Sequence, residues 1–558
     1  MAPSDPAAEE AHTEFDFGLD FIDEFDALFI NVKGNGEDGF QDDVKVGAEG
    51  DVKGDVKMDV TGIKKDVKDE EDDIASLGKY PAKLHAEKVA NELYSRHGIK
   101  SGLIYLPGEP TRFYEHSDMS PEFRQRRYFY YLSGANFPDC AVTYDLSTSN
   151  LILWVPYVEP RQILWFGRTP SPKECLSRFH VDDVRYISEL DAYISQNLLS
   201  TPSPTLYLLS HSQLPPAVPE TYPRVRVDSA RLLLCMDSAR VVKTDYEVAM
   251  IRKANAVSSA AHLRIAKSLL QLTNEREIEA IFRAECALRG AKIQAYSPIA
   301  GSGVNASTLH YEDNDQPLEG RELVVLDAGC EWDCYASDIT RTLPLSGRFS
   351  KEARAIYDIV DKMQTECIEA VRPGLKYYKL HLHAAAVALV GLLRLGVLRG
   401  GSVSEIFKAG TVAAFFPHGL GHHIGLETHD VSGPERLLLA GVSVGGGAPG
   451  RRARREVITP VMMQSFLPWA ATYGGRQRLE ENMIVTIEPG IYFCREYLEG
   501  NFINHPVHSR FIDKDVLEKY YPVGGVRIED CILVTADGYE NLTSAPKGEE
   551  MLRIINGE

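Results

Sequence analysis

The sequence predicts an α/β domain followed by a second domain of helices and paired strands, with a disordered acidic tail ahead of them. Three observations predict this. Residues 1–75 hold 23 acidic and 7 basic side chains, about −16 of the chain's formal −20, and Asp-Val-Lys recurs at Asp43, Asp51, Asp55 and Asp66. So polar a segment buries too little apolar surface to offset the entropy of ordering. From residue 80 to 223, helical and strand periods alternate. A proline-rich run, Ser200 to Pro223, then closes that unit. The organisation expected is a tail at 1–75, an amino-terminal domain at 80–223 and a second domain at 240–545 within the 558 residues.

In the first domain, periodicity places a helix at 82–96 and strands at 101–105, 140–144 and 150–155. FRQRRYFYYLSGANFPDC, Phe123 to Cys140, mixes arginines and aromatics as a nucleic-acid surface does. Outside the tail, however, the chain carries only about −4, so Arg124 to Arg127 read as internal or interface contacts and the aromatics as core. Thr244 and Glu247 form a capping box opening a helix to about Leu270. Further helices follow at about 275–289, 351–371 and 377–395, and Tyr296 to Tyr311 reads as a strand and a glycine loop ending near His310.

Several classes are excluded. No stretch approaches the ~18–20 apolar residues of a membrane span, and the most apolar, His381 to Val397, is interrupted by Arg394. The start lacks the pattern of a secretory or transit peptide. Nine cysteines without a CxxC pair fit unpaired thiols, with Cys330 and Cys334 structural. The expectation is a cytoplasmic protein with neither nucleic-acid nor membrane partners. The aromatic patch Phe15 to Ile30 reads as solvated tail, and the run Arg451, Arg452, Arg454 and Arg455 as solvated loop.

Acids inside apolar strands carry the chemistry. LVVLDAGCEWDCYASDITRTLP, Leu323 to Pro344, reads as a β-hairpin turning at Gly329 to Asp333, with Asp327 ending one strand and Asp338 on the next. Taken alone, both read more simply as strand-end aspartates in water. MIVTIEPGIYF ends an apolar strand in Glu488 before a Pro-Gly turn, and VRIEDCILV is a strand placing Arg527 and Glu529 on one face. FFPHGLGHHIGLETHD packs His418, His422, His423 and His429 among glycines, which rules out a regular helix. Buried unpaired carboxylates are costly, so four of them beside an imidazole suggest one internal site for two divalent cations. Such oxygen-rich ligation favours Mn²⁺, with Zn²⁺, Co²⁺ or Fe²⁺ also accommodated. A metal pair lowers the pKa of a bridging water and stabilises a tetrahedral oxyanion, which is hydrolysis chemistry.

The motifs LDAG-x₇-SDITRT, HGLGHHIGLETHD, TIEPGIY and GVRIED, over about residues 80–545, resemble the dinuclear metallopeptidases of the pita-bread fold. That group includes methionine aminopeptidase, aminopeptidase P and prolidase, and the chain is most similar to its fungal Xaa-Pro aminopeptidases. The resemblance implies a creatinase-like α/β amino-terminal domain and an α+β pita-bread catalytic domain. It implies that Asp327 binds one metal, that Asp338 and Glu529 bridge two, and that His422 and Glu488 bind the other. It also implies that Glu488 accepts a proton, that His310, His418 and His429 contact substrate and stabilise the gem-diolate, and that Tyr492 and Arg527 brace the site. His423 keeps a structural reading. The expected activity is release of an N-terminal residue from peptides with proline second, using two Mn²⁺ per subunit in a homodimer. Strict dipeptidase action, and a scaffold that has lost its ligands, are the alternatives.

Overall fold

In the computed structural model, residues 78–200, 204–215, 218, 225–438 and 477–558 are described. The acidic tail, its Phe15 to Ile30 patch and the Arg451 to Arg455 run lie outside the described residues.

A six-stranded mixed sheet organises the first part of the chain. Its strands are β1 (Leu103–Pro107), β2 (Ala141–Asp145), β3 (Asn150–Val155), β4 (Asp183–Tyr186), β5 (Thr205–Tyr207) and β6 (Arg226–Asp228), in the order β4-β3-β2-β1-β5-β6. Two of these strands start one or two residues later than their periodicity suggested. Strand alternation divides β1 between two cores. Leu103 and Tyr105 pack with Trp154 and Ile194, whereas Ile104 and Leu106 join a cluster containing Ile251, Tyr335 and Ile484 of the later chain. That second cluster crosses from one part of the chain to the other, and apolar burial therefore holds them together.

The helix α1 (Ala82–His97) packs on this sheet's inner side, with α2 (Arg127–Ser133) beside it. The helix α3 (Pro160–Phe166) differs from both. It buries none of its residues, and Leu164, Trp165 and Phe166 are 83%, 76% and 77% exposed.

Helices flank the sheets of the later part. The first long one, α4 (Asp245–Ser268), opens on the predicted capping box: the Thr244 hydroxyl accepts from the Glu247 N–H and the Glu247 carboxylate accepts from the Thr244 N–H. The helices α5 (Glu275–Leu288), α6 (Lys351–Glu369) and α7 (Tyr377–Arg394) follow within a residue or two of expectation. The last of these, the apolar segment, is a buried helix, and no helix among the described residues is long and apolar enough to cross a membrane.

Two strand pairs hold the acids, and both differ from the simplest reading. Strands β7 (Ile299–Ser302), β8 (Leu323–Asp327) and β11 (Thr340–Pro344) form one antiparallel sheet in the order β11-β8-β7. Between β8 and β11 a small ribbon, β9 (Glu331–Trp332) with β10 (Tyr335–Ala336), forms the tip. The tip turns at Asp333 and Cys334, both with positive φ (45° and 69°), rather than over Gly329 to Asp333. Asp338 consequently lies in the loop before β11 and not on a strand. The chain crosses itself at Gly329, where a Cβ would come 1.9 Å from the Ser337 carbonyl oxygen.

The second pair is broken twice. Strand β12 (Ile484–Ile487) pairs with β15 (Asp530–Val534), whose outer neighbour is β16 (Tyr539–Asn541); β13 (Gly490–Tyr492) pairs with β14 (Gly525–Arg527). Pro-Gly thus makes no turn, and VRIEDCILV is two strands. Between the pairs Ile487↔Asp530 and Gly490↔Arg527, two residues on each side leave the ladder, Glu488-Pro489 and Ile528-Glu529. Proline has no N–H to give to a ladder, which is the local cause of the first break.

Candidate metal centre

Each predicted ligand sits where regular structure stops. Asp327 is the last residue of β8, Asp338 lies in the loop before β11, and Glu488 and Glu529 occupy the facing breaks. Thr340 and Glu529 form an isolated bridge that joins the two sheets. His422 comes from the glycine-rich loop, which lies along β12: the Thr486 N–H donates to His422 O and the Glu488 N–H to Leu420 O. The close approach requires Gly421, where a Cβ would meet the Thr486 carbonyl oxygen at 2.3 Å and the Tyr377 hydroxyl at 2.5 Å.

These side chains converge on one cavity of about 810 Å³, lined also by His310, His418, His429 and Arg527. Donor atoms of Asp327, Asp338 and Glu529 lie within 4.8 Å of one another, as do those of His422, Glu488 and Glu529, so Glu529 belongs to both sets. A third such set is Asp338, His422 and His429. His423 is not among the lining residues; its Nε2 meets Gln477 Oε1 at 2.6 Å.

The hydrogen bonds orient the ligands. His422 Nδ1 lies 2.9 Å from the His423 carbonyl oxygen and therefore carries the hydrogen, which aims Nε2 inward, 3.4 Å from Asp338 and 3.3 Å from Glu488. Such an outer contact fixes the tautomer of a metal-binding imidazole. Thr340 Oγ1 donates to Glu529 Oε2 at 2.7 Å. Arg527 donates to Asp327 at 2.6 Å and to the Tyr492 hydroxyl at 2.9 Å. That hydroxyl in turn lies 2.9 Å from His418 Nε2, while His418 Nδ1 bonds Gly419 O. Burial lowers the His418 pKa, so its imidazole is neutral and Nε2 accepts from Tyr492.

Tyr296, which no local pattern in the sequence marks, contacts Asp327 at 2.6 Å and Asp338 at 2.5 Å. One hydroxyl hydrogen serves one carboxylate only, so the second contact calls for a proton or a cation. Burial, with the Asp327 charge adding to it, pushes Asp338 up to about 6 against the opposing pull of His422. Burial and the other three acids raise Glu529 well above the carboxylate range. Burial opposes the charge of Glu488 as well, yet His422 holds its carboxyl down to about 2. Glu529 Oε1 is buried with no hydrogen-bond partner among the described residues. An orphaned carboxylate oxygen, an imidazole nitrogen of His422 aimed inward and four acids around them fit a pair of hard divalent cations.

The motif-bearing part of the chain, residues 249–536, matches the family model for metallopeptidase family M24. The chain belongs to that family. Residues 85–207 match the amino-terminal domain of aminopeptidase P. Among curated relatives of this M24 chain, a probable Xaa-Pro aminopeptidase of Colletotrichum graminicola is 58% identical over 96% of this chain and 98% of that protein. Another, from Metarhizium acridum, is 56% identical over 87% of this chain and 95% of that protein. Zinc-substituted Escherichia coli aminopeptidase P in complex with product superposes with a TM-score of 0.67 at 25% identity, over 86% of this chain and 99% of that one. Pseudomonas aeruginosa aminopeptidase PepP gives the same score and coverage at 27% identity. The fold is therefore an aminopeptidase P-type amino-terminal domain followed by a pita-bread catalytic domain.

Proposed function

We propose that this M24 metallopeptidase is an Xaa-Pro aminopeptidase, releasing the first residue of peptides whose second residue is proline. The unbalanced acidic centre carries the reading: Glu529 has a bare, buried oxygen in a cavity that also holds four imidazoles. The Xaa-Pro aminopeptidase names of relatives above 50% identity support the substrate class.

In this reading Asp327 would hold one cation, His422 with Glu488 would hold the other, and Asp338 and Glu529 would serve both. When bound, the pair polarises a carbonyl and lowers the pKa of water. The chain's own groups do the remaining work. Glu488, ionised through its contact with His422, is placed to take a proton from water. His310, His418 and His429 line the wall against which a carbonyl oxygen would lie, and Tyr492 with Arg527 fixes the ring of His418. An Xaa-Pro bond has no N–H, so a site that recognises the carbonyl oxygen and the free amino terminus suits it. The oxygen-rich donor set favours Mn²⁺, with Zn²⁺, Co²⁺ and Fe²⁺ as substitutes. The exposed apolar helix α3 supports a homodimer, since a contiguous patch of this kind marks an interaction surface. Nine unpaired cysteines support a reducing, cytoplasmic setting.

The test is a side-by-side incubation of Gly-Pro and a longer Xaa-Pro-Yaa peptide with Mn²⁺. Release of the first residue from the longer peptide is expected; cleavage of the dipeptide alone makes the enzyme a prolidase. Light scattering at micromolar concentration reads the subunit count, and a monomer removes the dimer from this reading.

A further inference from the structure

Residues 545–547, which precede the helix Gly548–Ile555, reach the neighbourhood of both glutamates through a buried polar network. Arg341, on β11, is 1% exposed and uses all five of its N–H donors. Its Nη1 donates to the backbone oxygens of Thr340 (2.9 Å) and Glu529 (2.8 Å). Its Nη2 donates to the Asp530 carboxylate (2.8 Å) and the Ala545 oxygen (2.7 Å), and its Nε to the Pro546 oxygen (3.1 Å). The next residue continues the line: Lys547 Nζ donates to Asp530 Oδ2 at 3.1 Å and to Gln364 Oε1 at 2.5 Å. Gln364, fully buried on α6, then donates to the backbone oxygen of Ile487 at 3.2 Å. Ile487 immediately precedes Glu488. The network thus starts at the backbone of one glutamate of the centre and ends one residue from the other, at the two facing breaks, which one long backbone hydrogen bond spans, from the Ile528 N–H to the Pro489 oxygen at 3.4 Å.

We propose that the segment Ala545–Lys547, acting through Arg341 and Gln364, sets the separation of Glu488 and Glu529 and so the affinity of the centre for its second cation. Arg341, Gln364 and Lys547 are positioning residues; none lines the cavity. The proposal rests on the reading of the centre as a two-cation site. Its physical basis is that the strands at the break are joined to each other by a single long backbone hydrogen bond, so their separation depends on the groups around them, and that two cations tolerate little change in donor spacing. Groups that orient metal ligands from outside typically influence affinity about 10–100-fold when removed.

Removing Arg341 would take a donor from five acceptors in the core at once, so the test uses Lys547→Met and Gln364→Leu in the full chain. Metal-stripped protein is titrated with MnCl₂ by calorimetry, and thermal midpoints of the metal-free forms are recorded alongside. Expected is second-cation binding weakened about 10–100-fold in both variants. Their metal-free midpoints should fall far less than that loss implies, and KM should hold on an Xaa-Pro-Yaa peptide while kcat falls. Lys547→Arg, which can still donate to both Gln364 and Asp530, should restore binding. A native chain that takes two Mn²⁺, with both variants taking them equally tightly, overturns this proposal alone. A native chain that takes none overturns the reading of the centre and this proposal with it. A lowered midpoint with unchanged Mn²⁺ affinity assigns the network to stability only and also overturns it.

Discussion

Two regions of this molecule bury carboxylates, and they treat them in opposite ways. Where the two domains meet, each acid faces cations from the chain itself. Asp430 lies 2.6 Å from Arg240 and 3.3 Å from Lys243, all with side chains 2% exposed or less. Glu331 takes Arg124 and Arg127, and Glu247 faces His85 at 3.4 Å. Burial works against these charges, and the cations prevail at two of the three acids: Asp430 is held below its usual range, and His85 with Lys88 brings Glu247 down to about 2, whereas burial keeps the Glu331 carboxyl raised despite its two arginines. In the centre, Arg527 meets Asp327 and His422 meets Asp338 and Glu488, but Glu529 meets no cation among the described residues. There burial prevails and the carboxyls of Asp338 and Glu529 rise. Asp430 and Glu529 are equally buried and shift in opposite directions, and the difference between them is positive charge, two cations at Asp430 and none at Glu529 among the described residues. That shortage separates a place for added cations from an ordinary buried ion pair.

The contrast can be broken most directly by deleting one acid from each region. Asp338→Ala should reduce turnover on Xaa-Pro peptides to background while leaving the metal-free protein as stable as the native chain, because it removes a repelled, desolvated group. Asp430→Ala should do the reverse in kind. It leaves Arg240 and Lys243 buried without a counter-charge, a situation that costs about 3–5 kcal/mol. Urea denaturation of metal-free forms, with peptide assays of the metal-loaded ones, reads both. Retained turnover in the first variant, or unchanged stability in the second, would erase the distinction between the regions.

A pH series sharpens the same contrast by sign. Glu247 has a folded value depressed from 4.5 to about 2, so its contribution to stability is present above about 4.5 and is lost as the pH falls toward 2. Asp338 has a folded value raised from 3.8 to about 6 in the metal-free centre, so its contribution is present below about 3.8 and is lost as the pH rises through 6. Glu247→Gln should therefore flatten the acid side of the stability profile in chelator, and Asp338→Asn the side between about pH 4 and 6. Saturating metal should abolish the second slope, because metal binding displaces the protons held by ligands. A metal-loaded protein that kept the slope would place those protons elsewhere.

Much of this was legible in the sequence, for a physical reason. Acids such as Asp327 and Glu488 interrupt apolar strands, and the cost of burying them makes the interruption informative. The Thr244–Glu247 box is local, and so is the Gly-rich loop around His422. What escaped depends on distance or on backbone that composition does not encode. Tyr296 reaches Asp327 and Asp338 across 31 and 42 residues, and Arg341 reaches Pro546 across 205. The breaks at Glu488 and Glu529 lie inside apolar runs that read as continuous. The hairpin tip turns at Asp333 and Cys334 with positive φ, a conformation that glycine would have advertised and these residues do not. Arg124 and Arg127 make the internal contacts expected of them, but their acidic partners, Glu331 and Glu427, lie more than 200 residues away.

Those arginines supply the smallest expected effect. Arg124 and Arg127 both bond Glu331, yet Arg127 is 4% exposed at its side chain and Arg124 43%. Water screens the exposed pair, and exposed ion pairs contribute about 0.2–1 kcal/mol. Arg124→Ala should cost no more than that, and the loss should shrink further in 1 M salt, where screening reaches within about 3 Å. Arg127→Ala should cost more and be nearly insensitive to salt. Because Arg124 also reaches Glu427 on the loop that carries His422 and His429, a fall in kcat larger than its stability loss would mean that this outer pair helps to align the centre. Equal, salt-sensitive losses for both arginines would instead show that burial does not decide the strength of this contact, and the comparison between the two regions would lose its physical basis.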